Sequence, residues 1–327
     1  MPVEGPARRG PLPGEPGAPG RPPVVTVVGS FAVGLTLRAE RFPVAGETVM
    51  GRDFDQGPGG KGSNQAVQAA RLGADVEFVG LVGDDPFAGI ARELYRAEGV
   101  GTRYLGVVPD RNTGVGFIVL NREGENFIIL DPGANACLQP AHVERAGERI
   151  RASDVVLAQL EIPVRAAIHA LRLAREAGVL AILNPAPAQA IPLEQLALAD
   201  IITPNETELR ILLGLRPDDP ADSLDLCRRL LAAGVRTVVL TRGARGVLVV
   251  EERGVTEIPA FPVDVVDTTG AGDAFSGTLA VSLAEGRPLA EAARRAAAAG
   301  ALACTALGVI PALPRREAVD RLAGNPA

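Results

Sequence analysis

The chain is poor in the residues that carry metal, disulfide and charge-relay chemistry. Its three cysteines, Cys137, Cys227 and Cys304, are odd in number and far apart, with no C-x-x-C pair. That argues against a disulfide frame or a zinc site and for a reducing, cytoplasmic setting. Only two histidines exist, His142 and His169, both in segments that read as surface helices. Serine–histidine catalysis and histidine–metal chemistry therefore have little support. The chain has no Lys/Arg-rich run and carries a net charge of −6, which disfavours nucleic acid or an anionic membrane as partner. A signal peptide and a spanning segment are also lacking. The Ala-rich stretch from Leu289 to Leu307 is interrupted by Glu291, Arg294 and Arg295, so it reads as a packed soluble helix.

With 327 residues, 47% of them hydrophobic and 22% charged, the chain can bury one large core or two modest ones. Residues 1–23 are dense in Pro and Gly and read as a disordered tail, followed by one domain over 24–327. Order is expected from Val24–Val28, a short buried strand. Strand-like runs follow at Val76–Val82, Val155–Gln159, Val179–Leu183, Ile201–Thr203, Thr237–Thr241 and Val247–Val250. Helical patterns fall near Pro86–Glu98, Val164–Ala177, Glu206–Leu213 and Ser223–Ala233. This alternation predicts an α/β fold with a doubly wound, mostly parallel sheet. Two segments, about 31–51 and 114–130, break it. In the second, the polar turn Asn121–Glu125 between apolar runs predicts a β-hairpin, and both segments suit a small β-sheet lid or a dimer contact.

Two motifs carry the chemistry. In Asp267-Thr268-Thr269-Gly270-Ala271-Gly272-Asp273 the small residues leave backbone N–H groups uncovered, and a helix is expected from about Asp273 to Leu283. Unpaired N–H groups at a helix N-terminus attract phosphate, and Asp273 beside them can accept a proton. Such a pairing suits phosphoryl transfer to a hydroxyl, although a Gly-rich turn with a capping Asp would read alike. The second motif, Gly57-Pro58-Gly59-Gly60-Lys61-Gly62-Ser63-Asn64-Gln65-Ala66, is not a Walker A loop, since the spacer and the Lys-Ser/Thr pair are missing. It predicts a helix starting near Ser63 as N-cap, with Asn64 offering donor and acceptors to hydroxyl groups.

Together with G-E-N at 124–126, G-A-N-A at 133–136, N-P-A-P-A at 184–188 and T-P-N-E-T-E at 203–208, these motifs resemble the ribokinase-like carbohydrate kinases, the PfkB family, from Val24 onward. The resemblance implies ATP-dependent phosphorylation of a sugar's primary hydroxyl, with D-ribose as the leading acceptor and ribose 5-phosphate as product. Asp273 would be the general base, and Gly270, Ala271 and Gly272 the anion hole. Gly60, Lys61, Gly62, Ser63, Asn64 and Glu161 would hold the sugar with Asp273. Asn205, the run Thr241, Arg242, Gly243, Ala244, Arg245, Gly246, and then Gly272 and Ala297 would hold the nucleotide. Asn205 and Glu208 would reach Mg²⁺ through water. A potassium ion would take mostly carbonyl ligands from Asp267, Thr269, Ala303, Ala306, Gly308 and Ala312, although Ala312 stands where a serine is common. A homodimer through the lid is implied as well.

One departure bears on the substrate. After Gly29-Ser30 the family carries an Asn and an Asp that grip sugar hydroxyls, and here Ala32 and Gly34 take those places. Loss of such a grip costs roughly 1.5–3 kcal/mol per charged hydrogen bond unless Thr36 or water replaces it. Another sugar, a sugar acid or a nucleoside is therefore an alternative acceptor. A catalytically silent ligand-binding homologue is opposed by the intact Asp273, anion hole, Asn205 and Glu208. A dinucleotide-binding oxidoreductase is opposed by the missing G-x-G-x-x-G after the first strand.

Overall fold

The structure, a computed structural model, describes residues 21–123 and 125–324. In chain order the strands are β1 Val24–Val28, β2 Ala32–Ala39, β3 Gly51–Gly59, β4 Asp75–Gly83, β5 Gly101–Val108, β6 Gly114–Leu120 and β7 Asn126–Asp131. They continue as β8 Val155–Ala158, β9 Leu180–Leu183, β10 Ile201–Ile202, β11 Thr237–Thr241, β12 Val247–Glu251 and β13 Gly254–Ile258. Two sheets result among the described residues. The larger runs β13-β12-β11-β10-β9-β8-β1-β4-β5, parallel except at β11/β12 and β12/β13. The fold class expected from the alternating pattern is the one observed.

Alternation of side chains sorts the core onto the two faces of this sheet. Val25 and Val27 of β1 and Val155 and Leu157 of β8 join the helices Lys61–Arg71, Pro86–Glu98, Ala271–Ala284 and Leu289–Ala303. Val28, Val156 and Ala158 face the opposite way, toward Val164–Glu176, Glu206–Leu212 and Ser223–Ala232. The helix Ala271–Ala284 is buried on every side from Asp273 onward, which is why its sequence is apolar throughout rather than striped.

The smaller sheet runs β3-β2-β6-β7, with β2 and β6 parallel and the outer pairs antiparallel. The expected hairpin is present: β6 and β7 pair from Val115–Asp131 to Leu120–Asn126. β3 extends through Gly57-Pro58-Gly59, for which the sequence predicted no strand. As an edge strand it tolerates proline, whose missing N–H no neighbour needs. Asn135 roots this lid by accepting from the Phe31 N–H at 3.1 Å and donating to the Phe31 carbonyl at 2.7 Å.

Residues 1–20 of the expected tail lie outside the described residues. Just ahead of β1, Arg21 pairs with Asp154, and the Pro23 carbonyl accepts from the Asp75 N–H at 2.8 Å.

The helix expected from Ser63 begins earlier, at Lys61, with Gly60 as N-cap and no side-chain cap from within. Ser63 is fully buried instead. The Glu161 carboxylate, arriving from beyond β8, accepts from the Lys61 N–H at 2.8 Å and so replaces the local cap. Gly62 makes this approach possible: a Cβ there would lie 2.5 Å from the Ser30 nitrogen and 2.7 Å from the Gly29 Cα. Gly62→Ala should therefore destabilise the fold by about 1–3 kcal/mol, the range for overpacking, read from urea unfolding midpoints. A midpoint equal to the parent's would show that helix and strand can part without cost.

Candidate active site

Five parallel strands deliver their C-terminal ends to one place. Ser30 follows β1, Gln159 and Glu161 follow β8, Asn184 follows β9, Thr203 and Asn205 follow β10, and Thr241 ends β11. The direction of winding reverses between β1 and β8, and ligands of doubly wound sheets bind at such a switch point. A cavity of about 300 Å³ opens there. Lys61, Asn205, Glu208, Thr241, Thr268, Thr269, Gly270, Gly272 and Asp273 are among the residues that line it.

Asp273 is 5% exposed and sits in the first turn of its helix. Its Oδ2 accepts from Asn64 Nδ2 at 2.8 Å and its Oδ1 from Gln65 Nε2 at 2.9 Å. Burial pushes the carboxyl above its ordinary value. The Lys61 ammonium and the two amide donors oppose that rise, while the Glu161 carboxylate adds to it. Lys61 responds in kind. Burial pulls its ammonium down, but the carboxylates of Asp273, Glu161 and Glu208 outweigh it, so Lys61 stays charged with a raised pKa.

Gly270 takes φ +83°, a conformation that suits glycine, and starts the helix without a side-chain cap. Ala271 N–H donates to the Thr268 carbonyl at 3.3 Å, and Asp273 N–H to the Gly270 carbonyl at 3.0 Å. Among the described residues the N–H groups of Gly270 and Gly272 have no such partner. Of the three residues expected to form an anion hole, these two N–H groups are free, whereas that of Ala271 is partly engaged.

Asn205 and Glu208 form a reciprocal capping box. Asn205 N–H donates to Glu208 Oε2 and Glu208 N–H to Asn205 Oδ1, each at 2.8 Å. Burial raises the Glu208 carboxyl despite help from the Asn205 N–H and Lys61, and Asp273 raises it further. The other sugar candidates stand in a second rank. Asn64 reaches the cavity through Asp273, and its Oδ1 has no hydrogen-bond partner. Glu161 binds Ser30 Oγ at 2.5 Å and the Lys61 N–H. Gly60, Gly62 and Ser63 do not line the cavity.

The nucleotide candidates divide in the same way. Arg242 to Gly246 form a tight turn after β11, tied by Arg242 N–H to the Gly246 carbonyl at 2.8 Å, with Arg242 paired to Glu257 and Arg245 to Glu206. None of this turn lines the cavity, and neither does Ala297, half-buried on the helix Leu289–Ala303. The expected cation loops do meet. Asp267 Oδ1 accepts from Thr269 N–H at 2.9 Å and Thr269 Oγ1 at 2.7 Å, and Oδ2 from Gly308 N–H at 3.3 Å. Those bonds hold the Asp267 carboxyl below its ordinary value against the opposing effect of burial. Ala303 closes the helix before this junction, Ala306 lies in the loop between, and buried Ala312 ends the short helix beyond it.

Sequence reasoning gave no role to Gln65, Asn184, Thr203 or Ser276, although the last three line the cavity. The first three lie inside the quoted motifs; Ser276 carries no signal.

Comparison with known proteins identifies the family. Residues 23–316 match the pfkB family of carbohydrate kinases. The chain belongs to that family. It is therefore a carbohydrate kinase, a phosphotransferase. It is 38% identical to a ribokinase of Haemophilus influenzae over 90% of this chain and 96% of that one. It is 34% identical to a deoxyribokinase of Salmonella typhi, over 90% and 96%. The structure of an Arabidopsis thaliana ribokinase complexed with ribose and ATP superimposes with a TM-score of 0.88 at 33% identity, covering 94% of this chain and all of that one.

As the expected general base, Asp273 would have to be ionised to take a proton, so turnover should fall as pH drops through its value. That value is raised above 3.8, so the acid limb should lie above that of an exposed aspartate. Asp273→Asn keeps the shape and should cut kcat about a hundredfold or more with the melting temperature little changed. Turnover near the parent's would remove Asp273 from this role.

Proposed function

We propose that the protein transfers the γ-phosphoryl group of ATP to the primary hydroxyl of a pentose, with D-ribose as acceptor and ribose 5-phosphate as product. The observation that carries this reading is the buried Asp273 carboxylate beside the unpaired N–H groups of Gly270 and Gly272, in one cavity with Asn205 and Glu208. Asp273 takes the hydroxyl proton, the oxygen forms a bond to the γ-phosphorus, and the bond from phosphorus to the bridging oxygen breaks in line, releasing ADP. The free N–H groups face the charge on the phosphoryl oxygens. Asn64, Lys61 and Glu161 serve the sugar, and the turn Thr241–Gly246 with Ala297 serves the nucleotide.

The desolvated Glu208 carboxylate, with Asp273 as a like-charged neighbour, fits a hydrated Mg²⁺ held with Asn205. Such an ion supplies charge neutralisation of the phosphates. The junction of Asp267 with Gly308, beside Thr269, Ala303, Ala306 and Ala312, fits a monovalent cation such as potassium held largely by carbonyls. Free cysteines suit a reducing cytoplasm, and no helix among the described residues is long and apolar enough to cross a membrane. A homodimer through the lid is supported by β7, an edge strand exposed along its whole length that carries Phe127, Ile128, Ile129 and Leu130. Mass by light scattering tests it, and a monomer at assay concentration refutes it.

A second acceptor class, a pentose with fewer hydroxyls, is favoured by the bare strand at Ala32 and Gly34 and by the similarity to a deoxyribokinase. ATP consumption with Mg²⁺ and K⁺ against ribose, deoxyribose and other sugars decides between them. Turnover of ribose at the lowest KM supports the first reading, and preference for another acceptor replaces the substrate while leaving the mechanism. A Cβ at Gly34 would meet nothing nearer than 3.7 Å, so Gly34→Asp fits. It should lower the KM for ribose about tenfold, the worth of one charged hydrogen bond. An unchanged KM would mean that position 34 does not face the sugar.

A further inference from the structure

Gln65 is fully buried and tied on both sides of its amide. Its Nε2 donates to Asp273 Oδ1 at 2.9 Å and to Asn184 Oδ1 at 3.0 Å, and its Oε1 accepts from Gln159 Nε2 at 2.6 Å. Turned over, the amide would set an oxygen against two acceptors and a nitrogen against a donor. The ionised Asp273 carboxylate, which only accepts, opposes the turn, and a second bar lies one step further away. Asn184 Nδ2 donates to the Thr203 main-chain carbonyl at 3.1 Å, and a carbonyl can only accept. Asn184 must therefore point Oδ1 at Gln65, and Gln65 must point Nε2 at Asp273. The anchor is rigid, because Thr203 leaves β10 with its own N–H bonded to the Leu183 carbonyl at 2.9 Å.

We propose that Gln65 is the positioning residue of the catalytic carboxylate, and that Asn184 acts through it by fixing which end of the Gln65 amide meets Asp273. Together with Asn64 on the other oxygen, Gln65 sets the plane of the carboxylate and leaves one lone pair of each oxygen for the acceptor hydroxyl. It also keeps the carboxylate ionised in a buried place. Lys61 shares that task, and burial and the Glu161 carboxylate oppose it. Nothing in this role requires Gln65 to touch either substrate.

The inference rests on Asp273 as the base, so Asp273→Asn is run beside the test variants. Gln65→Met keeps the bulk and removes the donor. It should lower kcat about 10–100-fold, the worth of a hydrogen bond to a charged group, with KM for sugar and ATP within about threefold. The acid limb of the pH–kcat profile should move upward, because the carboxylate has lost a donor and its burial is less opposed. Asn184→Leu should lower kcat with the same upward movement. The double variant should be no worse than Gln65→Met alone, since Asn184 works only through Gln65.

Asn184 lines the cavity, so direct contact with a substrate is the competing explanation. Direct contact would give multiplying losses in the double variant and a raised KM, and either result overturns the proposal. Unchanged kcat and an unmoved acid limb in Gln65→Met, with Asp273→Asn inactive, also overturn it while leaving the base in place. An active Asp273→Asn variant instead removes the underlying reading. Should Gln65→Met not fold, Asn184→Leu decides alone: parent-like kcat and acid limb overturn the proposal.

Discussion

A carboxylate buried in the protein interior governs the architecture around it. An isolated ionised Asp273 would cost several kcal/mol in that setting and would hold its proton. Here it is met by two amide donors and an ammonium, all from the single helix Lys61–Arg71. That helix must therefore lie hard against Ala271–Ala284, and its N-terminus must reach the end of β1. The second requirement explains Gly62, where any side chain would strike Ser30. Glu161 completes the junction by accepting from both Ser30 and the Lys61 N–H, so one acid ties strand, loop and helix. What looks like a list of site residues is a set of supports for one charge.

The same charge balance gives the cavity its division of labour. Three carboxylates, Asp273, Glu161 and Glu208, surround one lysine; burial, with a smaller share from like-charged neighbours, raises Asp273 and Glu208, while attraction to all three carboxylates holds Lys61 protonated. A site with more negative than positive charge is poorly suited to an anionic nucleotide by itself. The unpaired N–H groups of Gly270 and Gly272 supply part of the missing positive potential without adding a titratable group. A cation at Glu208 would supply the rest, which is a physical reason for a kinase site to leave an acid underneutralised.

Much of this was legible in the sequence wherever chemistry is local. The alternation of apolar runs and helical patterns gave the main sheet, because a strand buried on both faces has few other readings. The Gly-rich turns at 59–62 and 270–272 were readable because small residues before an apolar helix have few uses. The helix start at Lys61 was not, since its cap comes from Glu161, 100 residues away. β3 was hidden by Pro58 and its flanking glycines, which look like loop and are tolerated only because the strand is an edge. The amide relay was invisible for a deeper reason. Gln65, Gln159 and Asn184 are unremarkable letters, and their bonds span separations of 94 and 119 residues. Only the order of the strands brings them to one point.

Asp273 with its supports and the two strand positions that lack the polar pair expected there lie in different parts of the fold. Asp273 and its supports are buried under the main sheet's strand ends, where a change in one amide propagates to its neighbours. Ala32 and Gly34 lie on β2 of the small sheet, paired with Gly59 and Gly57 on one side and with Gly114 and Gly116 on the other. Around Gly34 the cross-strand neighbours are themselves glycines, so a side chain there disturbs no packed core. With that free space, position 34 can change polarity without disturbing Asp273 or the amides bonded to it. If these two positions face the acceptor, its identity can change on the lid strand while the supports of the buried carboxylate stay as they are.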